Sequence, residues 1–280
     1  MLPTIKIENA WGDILNLSND PRYRATVSGT APPGATINVS KVALNDGARF
    51  NSSTRNVRNL ILTVYIVSDI GKARLNLYRY IISGGYIRVY YKTDNLDVWI
   101  DGRVESIECD EWSLGQHMQV SVICPFPFWQ DMNETYTDAG NITSLTEFPW
   151  CAPASGVELS SVAATAYTVL YNAGHVESGA KFVIRAEVGS VNPRIYSLGS
   201  GDWMGFTVNM LPGDILTVDT TQGQKSVYLE SAGVISNYIN SVMVGTTWLQ
   251  LAPGENEISY TVESGSVHLG IYHMNKYQGV

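Results

Sequence analysis

Apolar residues recur at every second position through most of the chain, and no other feature limits the fold as strongly. Successive side chains of a strand point to opposite faces, so this period marks strands with one buried face. Leu60, Leu62, Val64 and Ile66 form one such set, with Ile61, Thr63, Tyr65 and Val67 between them. Both faces are largely apolar, which predicts a central strand covered on both sides. Met118, Val120, Val122 and Cys124 form a second set; Phe182, Ile184, Ala186 and Val188 a third; Met204, Phe206, Val208 and Met210 a fourth; Val267, Leu269 and Ile271 the last. The expected fold is all-β.

One segment departs from this period. From Asp69 to Ser83 the apolar residues Ile70, Ala73, Leu77, Tyr78, Ile81 and Ile82 step by three and four, the stripe of an amphipathic helix. Asp69 is the expected N-cap and Gly84-Gly85 the expected stop, with Arg74 and Arg79 on the polar face. Turn chemistry punctuates the strands. Pro33-Gly34, Pro212-Gly213 and Pro253-Gly254 each precede an alternating run and predict type II turns. Asp94-Asn95 predicts the tip of a hairpin joining Tyr86–Lys92 to Leu96–Val104.

The chain has 280 residues, enough for two domains. Cys124-Pro125-Phe126-Pro127-Phe128-Trp129 ends a strand with two prolines, which cannot donate to a ladder. The boundary is therefore placed near Gln130. Residues 1–130 are expected to form an N-terminal domain that carries the helix and the hairpin. Residues 131–280, rich in short strands and without a helix signal, are expected to form a β-sandwich.

Chemistry is scarce. The three cysteines, Cys109, Cys124 and Cys151, have no C-x-x-C spacing and read as free thiols. His268 and His273 lie five apart on one strand, so they face opposite ways and cannot share a metal. Asp101, Glu105, Glu108, Asp110 and Glu111 are the densest acidic cluster, but a glycosidase needs two carboxylates opposed across a cleft. No catalytic residue, metal or cofactor is expected. The net charge of −8, with Arg22, Arg24, Arg49, Arg55, Arg58, Arg88 and Arg103 scattered, excludes a nucleic-acid stripe. The start of the chain has no secretory signal pattern, and the longest apolar run is too short to cross a bilayer. Asn192-Pro193-Arg194 resembles the N-P-R of sugar-binding galectins, which stack the sugar on a Trp, and Trp203 follows. The galectin pattern has a His two positions before the Asn; here that position is Ser190. Asn192, Arg194 and Trp203 are the candidate sugar contacts of a second reading, a carbohydrate-binding adhesin or receptor-binding module.

Taken in order, the motifs resemble the siphophage distal tail protein family. Asp46-Gly47, Phe50-Asn51-Ser52 and Arg58-Asn59-Leu60 lead into the long apolar strand, followed by the helix with Leu77-Tyr78. Ile100-Asp101-Gly102-Arg103-Val104-Glu105 comes next, then a strand ending in Cys124-Pro125 before Phe128-Trp129. Asn192-Pro193, Pro212-Gly213-Asp214, Trp248-Leu249, Pro253-Gly254-Glu255-Asn256 and Tyr277 continue the likeness to the end. The resemblance implies a structural, non-enzymatic virion component at the tail tip, synthesised and assembled in the bacterial cytoplasm. It implies a homo-hexameric hub ring built by the N-terminal domain through a β-sandwich, a helix and an extended hairpin that clasps the neighbour, with a galectin-like C-terminal β-sandwich outside. Its implied partners are itself, the tail tube protein and a tail-associated hub or fibre protein. Receptor-binding proteins dock on the outer domain in some relatives. DNA is met only in passing, and no membrane is entered. The hairpin Tyr86–Val104 is the candidate clasp, with Tyr90, Tyr91 and Trp99 as anchors, because aromatic residues dominate interface hot spots.

Overall fold

A computed structural model describes residues 3–41, 46–109, 116–139, 141–144, 160–163 and 167–280. The protein is all-β with a single α-helix among the described residues, and every pairing between its described strands is antiparallel. The chain divides into two units, Met1–Met132 with Lys276–Val280, and Asn133–Asn275.

The first unit contains β1 (Thr4–Asn9), β2 (Ile14–Asn16), β3 (Tyr23–Ser28), β4 (Ala35–Lys41), β5 (Ala48–Arg55), β6 (Arg58–Ile66), α1 (Ile70–Tyr80), β7 (Tyr86–Lys92), β8 (Asp97–Cys109), β9 (Gln116–Cys124) and β10 (Trp129–Asp131). One nine-stranded sheet runs in the order β2-β1-β7-β8-β9-β6-β3, with β10 joined to β8. Helix α1 packs against both β1 and β6, which lie well apart in that order, so the sheet curls about its apolar face. The alternation of β6 puts Leu60, Leu62, Val64 and Ile66 in the core, at 1 % exposure or less. The opposite face is not covered as the composition predicts: Ile61 and Thr63 are half-buried and Tyr65 is exposed, stacked on His117.

The helix is shorter than its stripe. Ala73, Leu77 and Ile81 are buried, but Ile81 is already extended, and Tyr78 and Ile82 face solvent. Ile81 reaches the core from an extended backbone, so it extends the apolar pattern beyond the helix. Asp69 stands at the N-cap position without a side-chain cap; it sits in the left-handed region, and its carbonyl accepts the Ala73 N–H at 2.8 Å. The expected turns are present after Pro212 and Pro253, where Gly213 and Gly254 have φ of 90° and 94°. Gly34 is not in that region; its carbonyl instead accepts the Asn56 N–H at 2.9 Å, closing the root of the β4–β5 hairpin.

The second unit contains β11 (Thr135–Asp138), β12 (Asn141–Ser144), β13 (Ser160–Ala163), β14 (Thr168–Asn172), β15 (Ser178–Val191), β16 (Arg194–Ser197), β17 (Trp203–Gly205), β18 (Asn209–Met210), β19 (Ile215–Asp219), β20 (Ser226–Ser231), β21 (Val234–Asn237), β22 (Gln250–Leu251), β23 (Gly254–Thr261) and β24 (Ser264–His273). An eight-stranded sheet ordered β11-β24-β15-β19-β20-β21, with β18 and β22 on β15, faces a four-stranded sheet ordered β14-β23-β16-β17. Phe182, Ile184, Leu216, Val218, Leu269 and Ile271 from the first meet Leu170, Ile195, Met204 and Ile258 from the second in one core.

The last strand, β25 (Lys276–Tyr277), belongs to the first unit, where it pairs with β10. A buried cation holds this region. Arg58, 3 % exposed, donates from Nε to the Pro127 carbonyl at 2.8 Å and from Nη1 to the Gly29 and Ala31 carbonyls at 2.7 Å each. Its Nη2 donates to the Gln278 carbonyl, and the guanidinium lies over the fully buried Trp129 ring. Burial pulls its pKa below the ordinary arginine value. Arg58→Met leaves these carbonyls without their donor and is expected to lower the stability of the first unit by about 3–5 kcal/mol, measured by urea denaturation. Arg58→Lys, a point charge without the planar fork, restores less than half of that loss.

Cys124 is fully buried, and burial pushes its thiol from 9.0 up to about 12. Its neutral form is favoured in the fold, so its contribution is complete below pH 9.0 and is lost as pH climbs from there toward 12. Cys124→Val is therefore expected to reduce the drop in urea midpoint between pH values on either side of 9.0. An unchanged drop would assign it to the tyrosines alone.

Candidate functional site

Two of the acidic residues singled out by sequence, Asp101 and Glu105, are engaged by neighbours. Asp101 accepts the Tyr86 hydroxyl at 2.6 Å and the Arg88 guanidinium at 2.7 and 3.1 Å. Burial first, then the Asp101 carboxylate, raises the Tyr86 pKa well above its ordinary value. Glu105 accepts the Ser121 hydroxyl at 2.8 Å. Asp110, Glu111 and Cys151 lie outside the described residues. His268 pairs with Asp138 at 2.8 Å, while His273 is buried on the opposite face of β24. Among the described residues no three His, Cys, Asp or Glu gather as metal ligands would.

The hairpin Tyr86–Val104 forms with the register its alternation implies, Lys92 opposite Asp97 and Tyr90 opposite Trp99. It lies inside the sheet, between β1 and β9, so both of its edges are paired. Its aromatic residues are half-buried and engaged. Tyr90 donates to Glu8, and Tyr91 packs on Trp129 with ring centroids 5.8 Å apart. Trp99 donates from Nε1 to the Asp131 carbonyl at 2.9 Å and carries the Arg88 guanidinium 3.9 Å above its ring.

A different hairpin stands free. Strands β4 and β5 pair only with each other, and every one of their residues is exposed. The ribbon is two-faced. Thr36 donates to Asn56 at 2.7 Å, Asn38 to Ser52 at 3.1 Å and Asn51 to Ser40 at 2.6 Å. On the other face Ile37, Val39 and Phe50 are 62 %, 56 % and 61 % exposed, with Val39 directly opposite Phe50. The same unit exposes a second apolar patch, Leu75 and Tyr78 on α1 with Ile82 just past its end. Two open edges complete the surface, since β2 and β3 are the outer strands of the sheet.

In the second unit the structure brings Asn192, Arg194 and Trp203 together and adds a residue missed from sequence. Asn192, in the left-handed region, donates from Nδ2 to Glu263 Oε2 at 2.9 Å. Arg194 Nη2 donates to Glu263 Oε1 at 3.0 Å. Arg194 also pairs across the ladder with Gly205, two residues from Trp203. Ser190 is buried away from this cluster. Glu263 follows the end of β23 and is 69 residues from Arg194 in sequence, so only the pairing of Arg194 with Thr261 reveals their proximity.

Residues 173–277 match the family model for the C-terminal domain of the siphovirus-type tail component. No curated protein matches the chain. Among solved structures, the whole chain resembles the Dit protein of phage SPP1, described as a hub adsorption apparatus of phages infecting Gram-positive bacteria. The two are 12 % identical with a TM-score of 0.73, over 99 % of each chain. It also resembles a chain of the phage P2 baseplate in its activated conformation with calcium, 10 % identical, TM-score 0.58, over all of both chains. The strontium form of that baseplate gives 9 % identity and a TM-score of 0.55, again over all of both. At these identities the structural likeness is one of fold. With the family match, it bears out the resemblance read from the ordered motifs.

The Arg194–Glu263 pair is exposed, so it contributes little to folding. Glu263→Gln is expected to change the stability of the second unit by less than about 1 kcal/mol in thermal unfolding. A larger loss would make the pair a structural tie.

Proposed function

We propose that this chain, whose residues 173–277 match the C-terminal domain of the siphovirus-type tail component, is a subunit of the hub ring at the tip of a phage tail. The observation that carries this reading is the β4–β5 ribbon. An isolated two-stranded hairpin is marginal in water. This one leaves Ile37, Val39 and Phe50 more than half exposed among the described residues. Each such side chain gains about 1.5–3 kcal/mol on burial, which a second copy supplies. In a closed ring one patch meets an unlike patch on the next subunit. The ribbon and the group of Leu75, Tyr78 and Ile82 are two such unlike apolar patches on one unit.

Six copies form the ring. One face meets the tail tube protein and the other meets the tail-associated hub or fibre protein. The net charge of −8 suits a channel that lets DNA slide through without phosphate contacts. The role is architectural rather than catalytic, and Asp101 and Glu105 of the acidic cluster are tied to Tyr86, Arg88 and Ser121. The open β3 edge offers a further site for strand addition.

The test is light scattering coupled to size exclusion. The wild type is expected to elute as a ring of six copies or as two stacked rings. Ile37→Asp combined with Phe50→Asp, on residues that touch no core, is expected to yield folded monomers. Rings that survive the double substitution would remove the ribbon from the assembly, and a wild-type monomer at high concentration would end the ring proposal.

A further inference from the structure

The cluster at Asn192 belongs to the second unit, whereas the ring contacts proposed above are on the first. Glu263 is held from two directions, by Asn192 on one carboxylate oxygen and by Arg194 on the other. Asn192 is fixed in turn, since its Oδ1 accepts the Val208 N–H at 3.1 Å. The three polar groups are therefore ordered before any ligand arrives, which removes much of the entropy cost of binding. Valences remain. Each carboxylate oxygen keeps a second lone pair, and Arg194 keeps Nη1 donors. Arg194 Nε is buried with no partner among the described residues.

Beside this polar edge lies an apolar floor. A Cβ on Gly205 would come within 3.0 Å of Trp203 Cζ3, 3.0 Å of Met243 Sδ and 3.1 Å of Arg194 Cγ. Indole, thioether and guanidinium stem thus converge over one glycine, where a side chain would be tight. The backbone there is clamped: Met243 N–H donates to the Gly205 carbonyl at 2.9 Å, and Thr247 N–H to the Trp203 carbonyl at 2.9 Å. Both members of the ion pair stay open to solvent, with side-chain exposures of 38 % for Arg194 and 49 % for Glu263.

We infer that Asn192, Arg194, Glu263 and Trp203 form a site for a neutral saccharide. The argument is one of chemical matching. A pyranose has a C–H face that lies on an aromatic or thioether surface, and an edge of vicinal hydroxyls that both donate and accept. A carboxylate beside a guanidinium offers an acceptor and a donor at adjacent points. An anionic ligand meets the Glu263 charge, and a cationic one meets Arg194. A neutral polyol uses both.

Saturation-transfer NMR and calorimetry on the full chain test this, with methyl glycosides of glucose, galactose, rhamnose and N-acetylglucosamine and their disaccharides as probes. At least one is expected to bind saturably with a Kd of about 0.1–10 mM. Arg194→Lys and Glu263→Gln are each expected to weaken that binding about tenfold or more, with unchanged melting temperature, and Trp203→Phe to weaken it also. Absence of saturable binding across the panel overturns the site, and so does binding that all three variants retain. Neither result bears on ring formation, which uses the other unit.

Discussion

The guanidinium of Arg58 organises the first unit. It is a buried cation with no carboxylate among its described hydrogen-bond partners; instead it donates to the carbonyls of Pro127, Gly29, Ala31 and Gln278. A buried charge is costly unless its donors are matched, and here one planar fork reaches several separate backbone segments. Those segments are the end of β9, the approach to the β4–β5 ribbon and the end of the chain. Gly29 allows the approach, because a Cβ there would stand 2.3 Å from the Asn59 carbonyl oxygen. The Trp129 ring beneath the guanidinium adds a cation–π contact and seals it from water.

That node explains how the unit can carry a bare arm. Gly29 and Ala31 lie in the segment between β3 and β4, so the approach to the ribbon is tied into the core while its strands pair only with each other among the described strands. The ribbon's polar face is satisfied by its own Asn, Ser and Thr side chains. Its apolar face, Ile37, Val39 and Phe50, is exposed. A stiff root beneath an adhesive strip limits the directions in which a neighbour can be held, and a closed ring needs such a restriction.

Much of this fold is legible in the sequence. The alternation in β6, β9, β15 and β24 places the core residues on the correct faces, because burial on one side of a pleat leaves a direct trace. Endings are less legible. The stripe of α1 runs on through Ile81 and Ile82, although the helix stops at Tyr80, since an extended residue can reach the core as well as a helical one. The assembly surface is harder still. Tyr90, Tyr91 and Trp99 have the composition of interface anchors, yet β1 and β9 flank their hairpin, a long-range pairing that no local pattern records. Ile37 and Val39 show strand alternation, but their exposure among the described residues is a tertiary fact. Arg58 looks like one scattered basic residue, and Glu263 like a turn residue, until strand register brings their partners in.

The central claim is that the ribbon of residues 35–55 is completed by another copy of the chain. Electron cryomicroscopy of the purified protein tests it most directly. The account predicts a closed ring with six-fold symmetry in which density for each ribbon lies on the adjacent subunit, Phe50 turned into the contact. Single subunits in the images, or a ring whose ribbons project into solvent, would contradict it.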